Sequence, residues 1–390
     1  MLYNQFQDKQ LPSLGFGIMR LPKNEDGSIH EDKFREMLQY AMEQGVCYFD
    51  TAWPYHEGES ERVLGKMLHD YDRNSFFLAD KFPGHELRSS YDPAAIFEEQ
   101  LKKCGVDYFD FYLLHNVHES SIDTYLDPRW GIIEYLKEQR RIGRIRHLGF
   151  SCHMKLDGMR RFLELHGKDM EFCQIQLNYI DWTLQEAKEK CDLLNEYQLP
   201  IWVMEPVRGG KLASLHEGAE AKLKELRPDE SIPAWAFRFL QSIPNVKVIL
   251  SGMSTMEQMQ DNVKTLSTLK PLSQSEQDTL MEIAEEVKNA IPCTACRYCC
   301  TGCPKELDIP SLLSFFNDLR FRVSLNSSMS VYAMPKDKLP SACIGCGKCT
   351  KVCPQNIDIP NLMKELSYEI SQLPDWAELC RQREQATSQI

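Results

Sequence analysis

Several things are missing from this sequence, and each absence closes off a class of function. No apolar run is long enough to make a membrane-spanning helix, so no membrane partner is expected. The first residues, Met1-Leu2-Tyr3-Asn4-Gln5-Phe6, lack the basic segment and apolar core of a secretory leader, so export is not expected either. Positive charge is in deficit: 45 Lys and Arg stand against 57 Asp and Glu, giving a net charge of −12. No segment supplies the basic face that phosphate backbones require, which argues against a nucleic-acid partner. A soluble, acidic, cytoplasmic protein is expected. Its 390 residues leave room for one large domain and a smaller one.

Cysteine, by contrast, is abundant, at 15 residues. The run from Cys343 through Cys346 and Cys349 to Cys353-Pro354 has C-x2-C-x2-C-x3-C-P spacing, and Cys293, Cys296, Cys299 and Cys303-Pro304 repeat it. Three closely spaced thiolates followed by Cys-Pro are the ligand pattern of a ferredoxin-type 4Fe-4S cluster, with the fourth cysteine commonly reaching a second cluster. Two 4Fe-4S clusters are therefore expected, Cys353 completing the first-run set and Cys303 the second. A thiolate zinc ribbon is the rival reading, since C-x2-C pairs also suit tetrahedral zinc. Each run leads into a similar phrase, Leu307-Asp308-Ile309-Pro310 and Ile357-Asp358-Ile359-Pro360, which marks an internal repeat of cluster loop and helix. Cys300 is left over. Cys47, Cys104, Cys152, Cys173, Cys191 and Cys380 read as small packing residues.

Upstream, from Leu14 to Ser251, eight short apolar runs alternate with stretches of helical period. The runs are Leu14 to Gly17, Val46 to Asp50, Phe76 to Lys81, Phe109 to His115, Ile145 to Ser151, Phe172 to Leu177, Ile201 to Glu205 and Val246 to Ser251. Apolar strands with helices between them imply a parallel sheet covered on both faces. Eight such units at this length predict a closed (β/α)8 TIM barrel, the open doubly wound sheet being the rival. The absence of a G-x-G-x-x-G after the first run weighs against that rival. Leu2 to Leu11 reads as a hairpin plugging the barrel bottom, and helices are expected over Glu31 to Gln44, Pro93 to Cys104, Met256 to Thr265, Gln274 to Asn289 and Ile309 to Phe321. The fold class is thus α/β, a TIM barrel over 1–290 followed by a small α-rich ferredoxin-like iron–sulfur domain over 291–373 and a helical tail over 374–390.

Barrel enzymes keep their chemistry at the C-terminal strand ends. Here those ends carry Asp50, with Tyr55 just beyond it, then Lys81 and His115. A nearby ammonium lowers the pKa of a phenol, so Lys81, held by Asp50, would make Tyr55 a better general acid. His115 would donate a hydrogen bond to a substrate carbonyl beside it. His56, His147 and His153 fall near the expected mouth without a role. Trp53, Tyr179 and Trp182 are candidate pocket walls.

Phe49-Asp50-Thr51-Ala52-Trp53-Pro54-Tyr55, Glu59-Ser60-Glu61, Lys81 and Asp107 to His115 together resemble the aldo-keto reductase family, and with the cysteine module the chain resembles its ferredoxin-fused branch. The resemblance implies an oxidoreductase that reduces a small-molecule carbonyl, or oxidises an alcohol, by hydride transfer with NAD(P)H, with Tyr55 as general acid. It also implies a cofactor site: Ser151 and Gln174 at the carboxamide, Arg208, Gly209, Gly210, Ser251, Gly252 and Met253 at the pyrophosphate, and Gln258 and Asn262 toward the adenosine. The chain departs from the family pattern twice. Met204 or Glu205 stands where many members stack an aromatic ring on the nicotinamide, and Gly252-Met253-Ser254 with Gln258 replaces the cations that members choosing the 2′-phosphate place after strand eight. Without those charge-assisted contacts, NADH is expected to serve at least as well as NADPH.

The clusters would connect the barrel to a one-electron carrier protein. Hydride transfer moves two electrons at once, so a two-electron hub such as a flavin on a partner would be needed, and no flavin motif is present. Two other readings stand beside this one: structural or redox-sensing clusters on an ordinary reductase or cofactor-occupied sensor, and an electron-transfer protein whose barrel is a docking platform.

Overall fold

In this computed structural model, residues 1–84, 90–118, 121–288, 291, 293, 297–321, 327–328, 331–332, 334–353 and 357–375 are described. They pack as two compact units, Met1–Ala213 with Leu226–Thr279, and the described parts of Ser214–Glu225 and Leu280–Ile390.

The first unit opens with an antiparallel hairpin, β1 (Tyr3–Phe6) and β2 (Lys9–Pro12). Eight parallel strands follow: β3 (Leu14–Gly17), β4 (Tyr48–Asp50), β5 (Phe77–Phe82), β6 (Phe109–Val117), β7 (Ile145–Cys152), β8 (Cys173–Gln176), β9 (Ile201–Met204) and β10 (Val246–Ser251). They close in sequence order, β10 pairing back onto β3 through Ile249 with Leu14 and Ser251 with Phe16. The barrel is the expected one. Closure removes both sheet edges and brings the loops after the first and last strands side by side.

The hairpin caps one end of this barrel. Phe6 and Leu11 join Tyr48, Phe111, Phe172 and Trp202 in a buried cluster, with the Phe6 and Trp202 rings edge to face at 5.1 Å. Such aromatic contacts add to the burial of apolar surface. His147 belongs here, not at the mouth: it stacks on Phe111 at 5.0 Å under Phe6. The expectation failed because His147 is only the third residue of β7, at the strand's N-terminal end.

Three helices matter for the site: α1 (Glu31–Glu43), α2 (Ser60–Leu68) and α3 (Pro93–Cys104). The last starts as its sequence suggests, with Asp92 capping the Ala95 N–H and Pro93 in the first turn, and ends at Gly105 in the left-handed region. Between α2 and α3 the backbones nearly touch. A Cβ on Gly65 would lie 2.5 Å from the Cys104 carbonyl oxygen, so only glycine allows this approach.

In the second unit the sequence repeat becomes a structural one. Helices Ile309–Phe321 and Ile359–Gln372 follow short helices Tyr298–Thr301 and Lys348–Lys351, whose preceding residues, Arg297 and Gly347, both have left-handed backbones. Leu307, Ile309, Ile357 and Ile359 bury their side chains in one shared core with Cys299 and Cys349. Most of the expected polar tail, 376–390, lies outside the described residues.

Candidate active site and cysteine centre

Four side chains meet at the open end of the barrel. Lys81 Nζ, on β5, lies 2.5 Å from Asp50 Oδ1 at the end of β4 and 2.7 Å from the Thr51 carbonyl oxygen. The same ammonium reaches the Tyr55 hydroxyl at 3.5 Å and stands 4.9 Å from its ring centre. His115 sets its ring edge-on to Tyr55, with centroids 5.9 Å apart. Just past Tyr55 the chain turns sharply, with His56 and Glu57 both in the left-handed region.

Burial dominates the electrostatics. It pushes the Asp50 carboxyl up, opposed by Lys81. Burial alone would depress Lys81, but Asp50, Tyr55 and Asp80 outweigh it and leave the ammonium above its ordinary value. The Tyr55 phenol is raised by burial, with Lys81 pulling the other way. Lys81 was expected to lower Tyr55 overall. Desolvation of the phenol proves larger, and the ammonium only offsets it.

Beside this constellation, most residues assigned to the cofactor line one cavity of about 290 Å³, among them Gly209, Gly210, Ser251, Gly252, Met253, Gln258 and Asn262. Gly209 and Gly210 have φ of 65° and 88°, left-handed conformations that any other residue would hold only under strain. Asn262 donates to Ser251 Oγ at 3.1 Å, and Gln258 Oε1 accepts from the Ser254 N–H at 2.8 Å. Ser151 Oγ accepts from the Asn116 N–H at 2.7 Å. Gln174 is buried on β8, and its Oε1 has no hydrogen-bond partner among the described residues. A buried amide oxygen left open in this way suits a carboxamide N–H donor, which is the group a nicotinamide would bring.

Arg208 is turned away from that cavity, its Nε 3.3 Å from the buried Asp181. Its place at the cavity wall is taken by Arg20, which sequence reasoning missed. Arg20 Nη2 bonds Glu205 Oε1 at 3.1 Å, and its side-chain carbons lie so close that a Cβ on Gly252 would meet them at 3.1 Å. The available signal was position, since Arg20 follows the first barrel strand. Tyr179, a candidate pocket wall, is fully buried against Phe239, and Trp182 packs on the same ring at 5.5 Å. Trp53 lies under the Lys103 ammonium, 3.6 Å from its ring centre.

In the second unit, Cys303 from the first run lines one pocket together with Cys343, Cys346 and Cys349 from the second. Four thiols on one pocket fit a 4Fe-4S cluster. Cys293, Cys299 and Cys353 border the same core, and Cys296 lies outside the described residues. Among the described residues, no three His, Cys, Asp or Glu side chains are drawn close enough to hold a single metal ion. Cys104, Cys152, Cys173 and Cys191 are buried packing residues, Cys47 and Cys300 are half-buried, and Cys380 is outside the described residues.

The 4Fe-4S dicluster domain model matches residues 292–357. No helix among the described residues is long and apolar enough to cross a membrane. An uncharacterized oxidoreductase, YqkF, of Bacillus subtilis is 25% identical over 66% of this chain and 88% of its own length. The NADH-specific methylglyoxal reductase of Escherichia coli is 23% identical over 63% of this chain and 85% of its own. The holo form of aldo-keto reductase AKR11C1 from Bacillus halodurans superposes with a TM-score of 0.58 at 26% identity, covering 73% of this chain and 96% of that one. The aldo/keto reductase family model matches residues 13–285, well over half the sequence, and the chain belongs to that family of oxidoreductases.

Proposed function

We propose that this protein reduces a small carbonyl compound to an alcohol by hydride transfer from NAD(P)H, with Tyr55 as the general acid. The observation that carries the reading is the buried Asp50–Lys81 pair set against the Tyr55 hydroxyl, with His115 edge-on beside it. When bound, the nicotinamide supplies the hydride. Tyr55 O–H donates its proton to the oxygen that becomes an alkoxide, and His115 supports the same oxygen through a hydrogen bond. Lys81 stabilises the phenolate left behind, and Asp50 keeps Lys81 charged and in position. Gln174 and Ser151 would hold the carboxamide, while Gly209, Gly210, Ser251, Gly252 and Met253 would cradle the pyrophosphate. Gln258 and Asn262 would lie toward the adenosine, and Arg208 would act there only by leaving Asp181.

Small carbonyls such as methylglyoxal are the substrate class to try first, given the activity named for the Escherichia coli relative. The test is NADH oxidation in the presence of methylglyoxal, with Tyr55→Phe as control. A wild-type rate no greater than that of Tyr55→Phe would sink the reading.

In the second unit we read two 4Fe-4S clusters, one on Cys293, Cys296, Cys299 and Cys353, the other on Cys303, Cys343, Cys346 and Cys349. The pocket shared by Cys303 and the second run supports this crossed pairing. The clusters would pass single electrons to a carrier protein, and coupling to hydride chemistry would run through a two-electron hub on that partner. Domain limits of 1–290, 291–373 and 374–390 belong to the same reading, as does a cytoplasmic location. EPR of the holoprotein with NADH and the carrier tests the coupling, and clusters that stay oxidised would make them structural or sensory.

A further inference from the structure

Behind Lys81, on the side away from Tyr55, lies a second set of ionisable groups that the proton-transfer scheme does not use. Asp80, next to Lys81 on β5, and Glu61, on the first turn of α2, are both completely buried, and their carboxyl groups face each other within hydrogen-bonding reach. Two carboxylates cannot both stay ionised at such a contact in a dry interior without a large electrostatic cost.

The partners around them account for one negative charge. Glu61 Oε2 lies 2.8 Å from Lys103 Nζ, and Glu61 Oε1 accepts from Gln100 Nε2 at 3.0 Å. Gln100 Nε2 also donates to the Lys81 carbonyl oxygen at 3.1 Å, and the Tyr112 hydroxyl donates to Gln100 Oε1. Asp80 Oδ1 accepts the Lys81 backbone N–H at 2.8 Å, while Asp80 Oδ2, the oxygen left for Glu61, also lies 3.9 Å from the Cys104 thiol. The charged and titratable groups facing the pair are thus Lys103 and Cys104 from α3, Lys81 from β5 and Tyr112 from β6. Lys103 neutralises Glu61, and Lys81 is already neutralised by Asp50. Among the described residues, no other cation faces an ionised Asp80.

Burial, and then the Glu61 carboxylate, hold the Asp80 carboxyl well above the ordinary carboxylate range. An ionised Asp80 would also raise both Lys81 and Tyr55, making the phenol a weaker acid.

We propose that Asp80 and Glu61 share one proton, and that this pair positions Lys81 while adding no second negative charge behind the proton donor. Asp80 donates its O–H to Glu61, and its other oxygen fixes the Lys81 N–H. Gln100, anchored on Glu61, holds the Lys81 carbonyl. The Lys81 backbone is thereby gripped on both sides, and the side chain is aimed at Asp50 and Tyr55. Both residues are positioning residues and touch no reacting atom. The kinetic part of this inference rests on the reductase reading; the protonation state does not.

Infrared difference spectroscopy of the holoprotein at about pH 7, where an ordinary carboxyl is ionised, tests the proton directly. The wild-type minus Asp80→Asn spectrum is expected to show the carbonyl band of a protonated carboxyl, and only a carboxylate band there would overturn the proposal. Asp80→Asn can still donate to Glu61 and cannot ionise, so it is expected to keep kcat for methylglyoxal within about threefold, whereas Asp80→Leu loses tenfold or more. A folded Asp80→Asn with abolished turnover beside an active wild type would show that a charged Asp80 is needed and would also overturn it. Should Asp80→Asn fail to fold, the same band sought in wild type minus Glu61→Gln, shifted by the lost partner, decides the question. If wild type itself shows no turnover, the reductase reading fails while the spectrum still judges the shared proton.

Discussion

Lys81 Nζ lies 2.5 Å from Asp50 Oδ1, in an ion pair whose two side chains are 1% and 6% exposed. Lys81→Met keeps an unbranched side chain one atom shorter and removes its charge, leaving Asp50 buried and without its cation. We expect kcat to fall by about 10²–10⁴ and stability by about 3 kcal/mol. Steady-state rates and urea denaturation of the variant check the two effects separately.

The direction of the Tyr55 shift sets the pH behaviour. Reduction needs the protonated phenol, and a phenol raised above its ordinary value near 10 keeps its proton throughout the neutral range. The rate of carbonyl reduction should be level from about pH 7 to about pH 9 and fall only beyond about pH 10. Alcohol oxidation needs the phenolate and should instead climb with pH. Rates measured in both directions across that span must diverge, and a reduction rate that falls between about pH 7 and about pH 8 would refute the assignment of Tyr55 as the acid.

Cofactor choice follows from the loop after β10. Ser254 and Gln258 bond one another there, and no Lys or Arg occupies 252–258. A kcat/KM for NADH at least equal to that for NADPH is expected, and a strong NADPH preference would contradict it. Arg20→Ala, which empties one wall of the cofactor cavity, should raise the KM for NADH several-fold with a smaller change in kcat.

How far the sequence announced this architecture depends on the range of the interactions involved. All eight barrel strands were legible because their apolar runs are bounded by helical periods and turns, which are local signals. Strand ends were less so: Val46 and Cys47 read as strand, yet the Val46 N–H bonds back to the Ala41 carbonyl and so completes the exit from α1. The tetrad was legible because Asp50, Lys81 and His115 each sit where a strand runs out. Arg20 was not, since its contacts with Glu205 and Gly252 exist only once β10 pairs with β3 and closes the barrel. The Asp80–Glu61 contact was hidden for a like reason. It joins a strand to a helix, and neither residue has a local pattern that marks it as buried.

The close approach of α2 and α3 gives a structural prediction. Gly65→Ala would press a methyl group into the Cys104 carbonyl, where backbone rather than a flexible side chain must give way. Despite alanine's better helix propensity, a loss of about 1–3 kcal/mol is expected, read by thermal or urea unfolding. Because Glu61 rides on α2, the same substitution should weaken its contact with Lys103.

Cluster ligation can be tested one cysteine at a time. Cys353→Ala should damage the cluster built on Cys293, Cys296 and Cys299, and Cys303→Ala the one built on Cys343, Cys346 and Cys349. Iron content should drop by roughly half in each, with EPR showing that the surviving signal differs between the two variants. The same surviving signal in both would rule out the crossed arrangement.

The pocket that Cys303 shares with Cys343, Cys346 and Cys349 bears on how the protein is made. Its walls come from chain segments some forty residues apart. All eight barrel strands precede the second run, so synthesis passes Cys303 some forty residues before its pocket partners exist. A cluster held by these four thiols could be loaded only after Cys349 has been synthesised, and a chain stopped before Cys343 would keep Cys303 without its pocket partners.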